Sequence, residues 1–342
     1  RDNSRPVQVP LLGQLKEFLM SRLPPALVLY FLAPIVGELL SGSAPPTEFF
    51  HPFGLIVLPA LYGSGALLAR ELALRWGRRW PSILTLGLAY GILEEGLMVK
   101  SFFDPQWPDL GLMATYGRWA GVNWVWSLSL TLYHAVVSIA IPILLVELLF
   151  PERRDEPWLG RRGAIGLSIL LVLDVLLGLF LMTPYKPPLI PYLLALVAVV
   201  VLFRQARRMP SAWGPSGDKR PWKPLWTGLT SFAGILAFFF GSWALPELGA
   251  PVWATMSYLI LLAWAVWKIM RRASGESHWD DLGRWAAASG ALAFFILLGP
   301  LMENDPSRTD NPAGMTLVAI AAALGLIWLR GRIRRRERLS ST

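Results

Sequence analysis

Apolar runs of about 20 residues recur along the whole chain, separated by short clusters of Arg, Lys, Gly and Pro. At 1.5 Å of rise per residue, a helix of that length spans the hydrocarbon core of a bilayer. The pattern predicts ten such helices, at 26–42, 52–76, 81–101, 122–149, 163–183, 189–206, 225–244, 251–270, 283–302 and 312–330. The runs are continuously apolar rather than alternating, which excludes a spanning barrel. The connections are mostly short and leave no room for a soluble domain. The expected fold is all-α, a polytopic transmembrane helical bundle.

Charge supplies the orientation. With the N-terminus placed in the cytoplasm, 27 of the 32 Lys and Arg residues fall on the inner side of a ten-span topology. Only Lys100, Arg118, Lys186 and Arg308 fall outside, and Arg70 lies within a span. This is the bias that the positive-inside rule requires, with both termini cytoplasmic. Trp residues including Trp76, Trp80, Trp107, Trp124, Trp126 and Trp222 lie near span ends, where interfacial anchors belong. The chain divides into a six-span, polar-containing part (1–206), a cytoplasmic linker (207–224), a four-span apolar part (225–330) and a basic tail (331–342). The segment before the first span lacks a short apolar core and cleavage site, so no removable signal peptide is expected.

The formal charge of +9 admits nucleic acid as a partner, but the basic residues are spread through short loops and build no basic domain. The partners expected are the bilayer and anionic lipid headgroups at the cytoplasmic loops, with no nucleic acid. The setting expected is integral to a prokaryotic cytoplasmic membrane. The absence of cysteine excludes thiol catalysis, thiolate metal sites and disulfides. No cofactor is expected, and with no Cys and a single intramembrane His a metal ion is disfavoured though not excluded.

Polar groups inside a bilayer are costly, so each needs a partner or a task. They concentrate in the first five spans: Glu38 in the first, Ser64, Arg70 and Glu71 in the second, Glu94 and Glu95 in the third, and Asp174 in the fifth. The fourth carries Asn123, Ser127, Thr131, His134 and Ser138, whose steps of 4, 4, 3 and 4 draw one stripe along a helix. Consecutive helices are usually neighbours, so Glu94, Glu95 and His134 can meet. The two glutamates project about 100° apart on an α-helix, which predicts that one faces His134 while the other reaches Lys100 or an outer cavity. Glu38 is expected to partner Arg70 or His134. Arg70 is expected to snorkel towards the inner surface, and Glu71 to pair with Arg75.

The Glu-Glu pair at 94–95, followed by His134 in the string LTLYH (130–134), resembles the motifs of the CPBP intramembrane proteases, the CAAX-processing and bacteriocin-protection group. Those motifs are Glu-Glu-x-x-x-Arg, then Phe-x-x-x-His on the following helix, then a further His-containing motif. The resemblance implies that Glu94 or Glu95 activates water and that His134 orients it or stabilises the oxyanion. This chain departs from the pattern in having Val99 for the Arg and Leu130 for the Phe. No third motif follows; Asp174 is the polar residue of the fifth span. The resemblance covers about 45 residues.

Three functional classes follow: a CPBP-like intramembrane peptidase or an inactive relative, a permease or proton-coupled transporter using the same Glu and His groups, and a non-catalytic membrane scaffold. A Ser64–His134 nucleophilic pair is disfavoured, because Gly-Ser-Gly within a membrane helix reads first as a close-packing patch. The loop 101–121 either lies on the membrane surface or caps a cavity above Glu94.

Overall fold

The computed structural model describes residues 24–211, 221–274 and 279–340. Among them, ten helices occupy the ten expected spans: α1 (Pro25–Leu39), α2 (Pro52–Arg75), α3 (80–98, built from Trp80–Gly91 and Ile92–Met98), α4 (Trp124–Leu149), α5 (Arg161–Met182), α6 (Leu189–Arg208), α7 (Pro224–Glu247), α8 (Val252–Ala273), α9 (Asp281–Glu303) and α10 (Met315–Leu339). Eight are long and apolar enough to cross a membrane; α1 is shorter, and α3 carries the Glu94–Glu95 pair. The departure from an all-helical chain is a small hairpin, Arg118–Trp119 against Val122–Asn123. The basic segment before residue 24, the middle of the 207–224 linker and His278 lie outside the described residues.

Local chemistry sets the helix boundaries. Proline stands in the first turn of α1, α2, α3 and α7, where its missing N–H costs no hydrogen bond. Asn123 caps α4 by accepting from the Trp126 amide at 3.0 Å, and Asp280 caps α9 by accepting from Gly283 at 2.6 Å. The chain leaves α1 through Gly42 and α2 through Gly77, both in the left-handed region.

Burial identifies the centre of the bundle. Of their apolar windows, α4 hides 83% and α2 72% within the protein, whereas α6 hides 6%. Around α4 pack α3 on one flank, α1 on another, and α8 and α9 towards its outer and inner halves. In turn α6 lies on α3, α5 on α2, α7 on α9, and α10 on α9. Lipid tails are as apolar as Leu, so these contacts depend on close fit and polar links rather than on exclusion from water.

Close fit is clearest where α3 crosses α4. A Cβ on Gly87 would stand 2.7 Å from Ala135 Cα, and one on Gly91 would stand 3.0 Å from Thr131 Cα. The two glycines are the ends of GLAYG (87–91), a GxxxG spacing that lets two helix backbones touch. Above this crossing, the loop 101–121 folds back on the bundle and buries Phe102, Phe103, Leu110 and Met113 against Val125 and Trp126. Arg118 ties the loop together by donating to the carbonyls of Ala114, Phe103 and Asp104.

Several expectations are corrected here. Arg70 does not snorkel. It is 1% exposed, with ion pairs to Glu71 at 3.2 Å and Glu147 at 3.4 Å, a hydrogen bond to the Arg154 carbonyl at 2.7 Å, and its guanidinium over the Trp158 ring. Glu71 and Glu147 come from α2 and α4, and the loop after α4 turns back to bring the Arg154 carbonyl and the Trp158 ring. Glu71 also lies 3.6 Å from Arg75, as the i,i+4 spacing implies. Trp80 and Trp126, at the starts of α3 and α4, are buried within the protein, and Trp126 donates its Nε1 to Ser101 Oγ at 3.0 Å. The basic segment after 330 continues α10 as helix to Leu339. Arg336 there donates to the Leu148 and Leu149 carbonyls, satisfying the last turn of α4.

Candidate functional site

Each of the first four helices contains one wide, π-type turn: Ile35–Leu39 in α1, Pro59–Gly63 in α2, Ile92–Met98 in α3 and His134–Ala140 in α4. Three of these adjoin a proline. Pro34 precedes the first, Pro59 opens the second, and Pro142 follows the last by two residues. Proline cannot donate to the carbonyl four residues back, so the regular ladder opens. Pro34 cannot donate to the Tyr30 carbonyl, and Gly63 lies against that same oxygen.

The four wide turns carry the polar cluster. His134 lies at its centre, 2% exposed. Its Nε2 is 3.1 Å from Glu95 Oε1; its Nδ1 is 3.0 Å from Ser138 Oγ and 3.3 Å from Glu94 Oε2. The Tyr62 hydroxyl reaches both Glu94 Oε1 and Glu38 Oε1. Ser101 donates to Glu95 Oε2 and accepts from Trp126 Nε1 at 3.0 Å. The rings of Tyr62, Tyr90 and Tyr133 surround the imidazole at centroid distances of 6.1, 6.0 and 5.3 Å.

The expectation that only one glutamate can face His134 is overturned. The wide turn Ile92–Met98 brings the two carboxylates closer in azimuth than an α-helix would, and the imidazole offers a nitrogen to each. Lys100 is not a partner of either. It adopts a left-handed backbone (φ 65°) and buries its ammonium against the carbonyls of Leu179, Thr183 and Tyr185 at 2.9, 2.9 and 3.1 Å. Glu38 partners Tyr62 rather than Arg70.

The polar stripe on α4 separates into two roles. His134 and Ser138 join the cluster. Asn123 caps the helix and also donates to the Met113 carbonyl, and Ser127 bonds back to the Asn123 carbonyl at 2.6 Å. Thr131 lies at the Gly91 contact with α3. Ser64 is fully buried with no hydrogen-bond partner for its Oγ, and the glycines beside it are contact points: a Cβ on Gly63 or Gly65 would meet Tyr30 or Tyr90 at 2.3 Å. Asp174 is buried on α5 outside the His134 contacts, with its Oδ2 unpartnered.

Tyr62 and Ser101 were not among the residues singled out from the sequence. Tyr62 stands in LYGSG beside Ser64, and its position within an apolar span was the available signal. Ser101 sits directly after the third expected span.

The arrangement supports proton chemistry. A phenol has one proton, so Tyr62 can donate to only one of the two carboxylates it touches. The other contact requires that carboxyl to carry a proton of its own. Glu95 is the more accessible carboxylate, 13% exposed against 7% for Glu94, and it faces the fold of loop 101–121 through Ser101. Glu94, Glu95 and His134 also each offer a ligand atom, all within 4.8 Å of one another, a donor set that suits zinc or manganese. Two grooves of about 530 and 590 Å³ open elsewhere on the bundle and include none of these cluster residues.

Fold and cluster together define a polytopic integral membrane protein with a buried carboxylate–histidine centre. The chain belongs to an uncharacterized membrane protein family, which it matches over residues 27–333. It is also similar to an uncharacterized protein of Archaeoglobus fulgidus, 25% identical over 126 residues. The match covers 36% of this chain and 38% of that relative. No solved structure matches.

Proposed function

We propose that this protein is a membrane-embedded hydrolase of amide bonds, with Glu95 and His134 as its working pair. The observation that carries the reading is the imidazole held between two carboxylates, with Glu95 Oε1 3.1 Å from Nε2, inside a membrane bundle and beneath a folded outer loop. Glu95 takes a proton from a water molecule, and the resulting hydroxide adds to the substrate carbonyl. The imidazolium of His134 stabilises the oxyanion that forms. The protonated Glu95 then gives its proton to the departing amide nitrogen, and the carbon–nitrogen bond breaks. Glu94 and Ser138 position the imidazole through Nδ1, and Tyr62 positions Glu94. A divalent cation on Glu94, Glu95 and His134 would supply Lewis acidity at the same place. The resemblance of residues 94–95 and 130–134 to the CPBP proteases supports the same reading. We place the protein in a prokaryotic cytoplasmic membrane, with anionic headgroups against its inner arginines; the archaeal relative accords with this.

The experiment is cleavage of quenched-fluorophore membrane-spanning peptides by the full chain in lipid nanodiscs, with and without added zinc or manganese. Glu95→Gln and His134→Ala lower cleavage by about 100-fold or more, the range of general acid–base catalysis. Cleavage that survives both variants overturns the assignment. A second reading, a proton-coupled permease, is favoured by the two carboxyls joined through Tyr62. Proton flux into vesicles that depends on Glu38 and Glu94, without peptide cleavage, selects it.

A further inference from the structure

The groove of about 590 Å³ lies between α2 and α5, and its two ends differ in chemistry. α2 runs inward to Arg75 and α5 runs outward from Arg161, so both arginines line the inner end. Arg75 donates to the Leu159 carbonyl at 2.6 Å, which fixes it beside the start of α5. Its Nε also faces Glu71 at 3.6 Å, the one acid in the lining. Glu71 is already engaged by Arg70 at 3.2 Å and by the Trp158 amide at 2.7 Å. Arg161 is exposed and, among the described residues, has no acidic partner.

Away from the arginines the walls turn apolar. Ile165, Ile169 and Val172 of α5 follow at steps of 4 and 3, one stripe on a helix, and are 50%, 55% and 57% exposed. Leu68 and Leu72 of α2 line the same groove. Ser168, within the stripe, donates to the Ala164 carbonyl at 2.8 Å and so adds no unmet donor. From Arg161 to Leu173, the outermost lining residue of α5, the helix rises about 18 Å. One leaflet of a hydrocarbon core is about 15 Å deep. The groove is thus cationic at headgroup level and apolar over the depth of one acyl chain. The groove of about 530 Å³ beside α1 and α10 contains no charged side chain and so cannot tell one headgroup from another.

We propose that the α2–α5 groove binds one anionic phospholipid of the inner leaflet, its phosphate on Arg161 and Arg75 and an acyl chain along Ile165, Ile169 and Leu72. Charge complementarity selects the occupant. The two cations attract a headgroup of net negative charge, whereas the ammonium of a zwitterionic lipid opposes them. This is a single saturable site, distinct from the general contact of inner arginines with the membrane surface. It shares no residue with the Glu94–Glu95–His134 centre and stands whichever chemistry operates there.

The test is native mass spectrometry of the purified full chain, titrated in detergent with phosphatidylglycerol or phosphatidylcholine. One phosphatidylglycerol is expected to bind first and to outlast phosphatidylcholine. Arg161→Gln should weaken that site about fivefold, the loss of one cation at an anionic headgroup. Ile169→Trp, which fills the groove, should abolish it, and Ala321→Trp in the other groove should leave it intact. The substituted side chains are exposed, so none of the changes opens the core. Equal retention of the two lipids overturns the proposal, as does binding unchanged in Arg161→Gln or in Ile169→Trp, or lost equally in Ala321→Trp. Displacement of the lipid by soluble glycerol phosphate also overturns it, because a free-anion site needs no tail. So does a dimer mass in place of the lipid adduct, because a second copy would then cover the groove.

Discussion

Gly87→Ala tests whether the α3–α4 crossing sets the geometry of the polar cluster. The new methyl would stand 2.7 Å from Ala135 Cα and 3.0 Å from the Ala135 carbonyl oxygen. Both are backbone atoms, so no side-chain rotation relieves the contact. Ordinary packing begins at 3.4 Å, and the helices must part by about 0.7 Å to reach it. Ala135 adjoins His134, so the displacement falls directly on the contact of His134 with Glu95. A separation of 3.1 Å stretches to about 3.8 Å, beyond a hydrogen bond. Overpacking costs about 1–3 kcal/mol, and a buried bond to a charged group contributes on the order of 1.5–3 kcal/mol. The assay is denaturant unfolding of the purified protein, together with nitrogen NMR of its imidazoles; the chain has only three histidines. Both the unfolding midpoint and the His134 resonance should move. Gly166→Ala is the control, since nothing lies within 4 Å of a Cβ there and Ala is the better helix former. A Gly87→Ala protein as stable as the parent, with an unchanged His134 signal, would refute the reasoning.

Three further outcomes follow from other regions. Arg70→Met removes the buried cation that faces Glu71 and Glu147, and should cost about 3–5 kcal/mol in unfolding measurements, with Glu147→Gln restoring part of it. Ala120→Gly should stabilise the protein by about 1 kcal/mol, read as a raised Tm, because Ala120 holds a left-handed φ of 51° in the tight hairpin of loop 101–121. Arg308 beside Asp310 in the α9–α10 loop holds that carboxyl below its ordinary value. The folded value lies below the unfolded one, so the stabilisation is complete above the ordinary carboxylate value and fades as pH falls through the depressed one. Amide exchange in residues 304–314 should accelerate only in that acid window, and Asp310→Asn should abolish the pH dependence.

Hydropathy alone located the ten helices, their ends to within about three residues except at α10, which runs on to Leu339 where the expected span stops at 330, because a bilayer allows few alternatives to a helix of spanning length. The meeting of Glu94, Glu95 and His134 was legible from their depth and the adjacency of α3 and α4. The convergence of both glutamates on one ring was not, since projection on an ideal 3.6-residue helix conceals a wide turn. Pro34, Pro59 and Pro142 were visible signals of disturbed ladders on three of the four helices. GLAYG was a visible signal of a close crossing. Tyr62 was not legible as a polar partner, because a phenol in an apolar run reads as one more aromatic. Arg70 misled for a related reason. Its nearness to the inner surface suggested solvent, whereas the loop after α4 turns back to supply carbonyls and the Trp158 ring.

The wide turn in α4 also fixes a phase relation along that helix. Residues before and after His134–Ala140 are out of step by one position relative to an uninterrupted α-helix. Deleting a single residue there would let the helix wind regularly, and one half would then swing by about 100° against the other. Either the imidazole or the inner contacts with α9 would face the wrong neighbour, although every surviving side chain kept its chemistry. In this chain, winding register therefore constrains the histidine as tightly as its identity does.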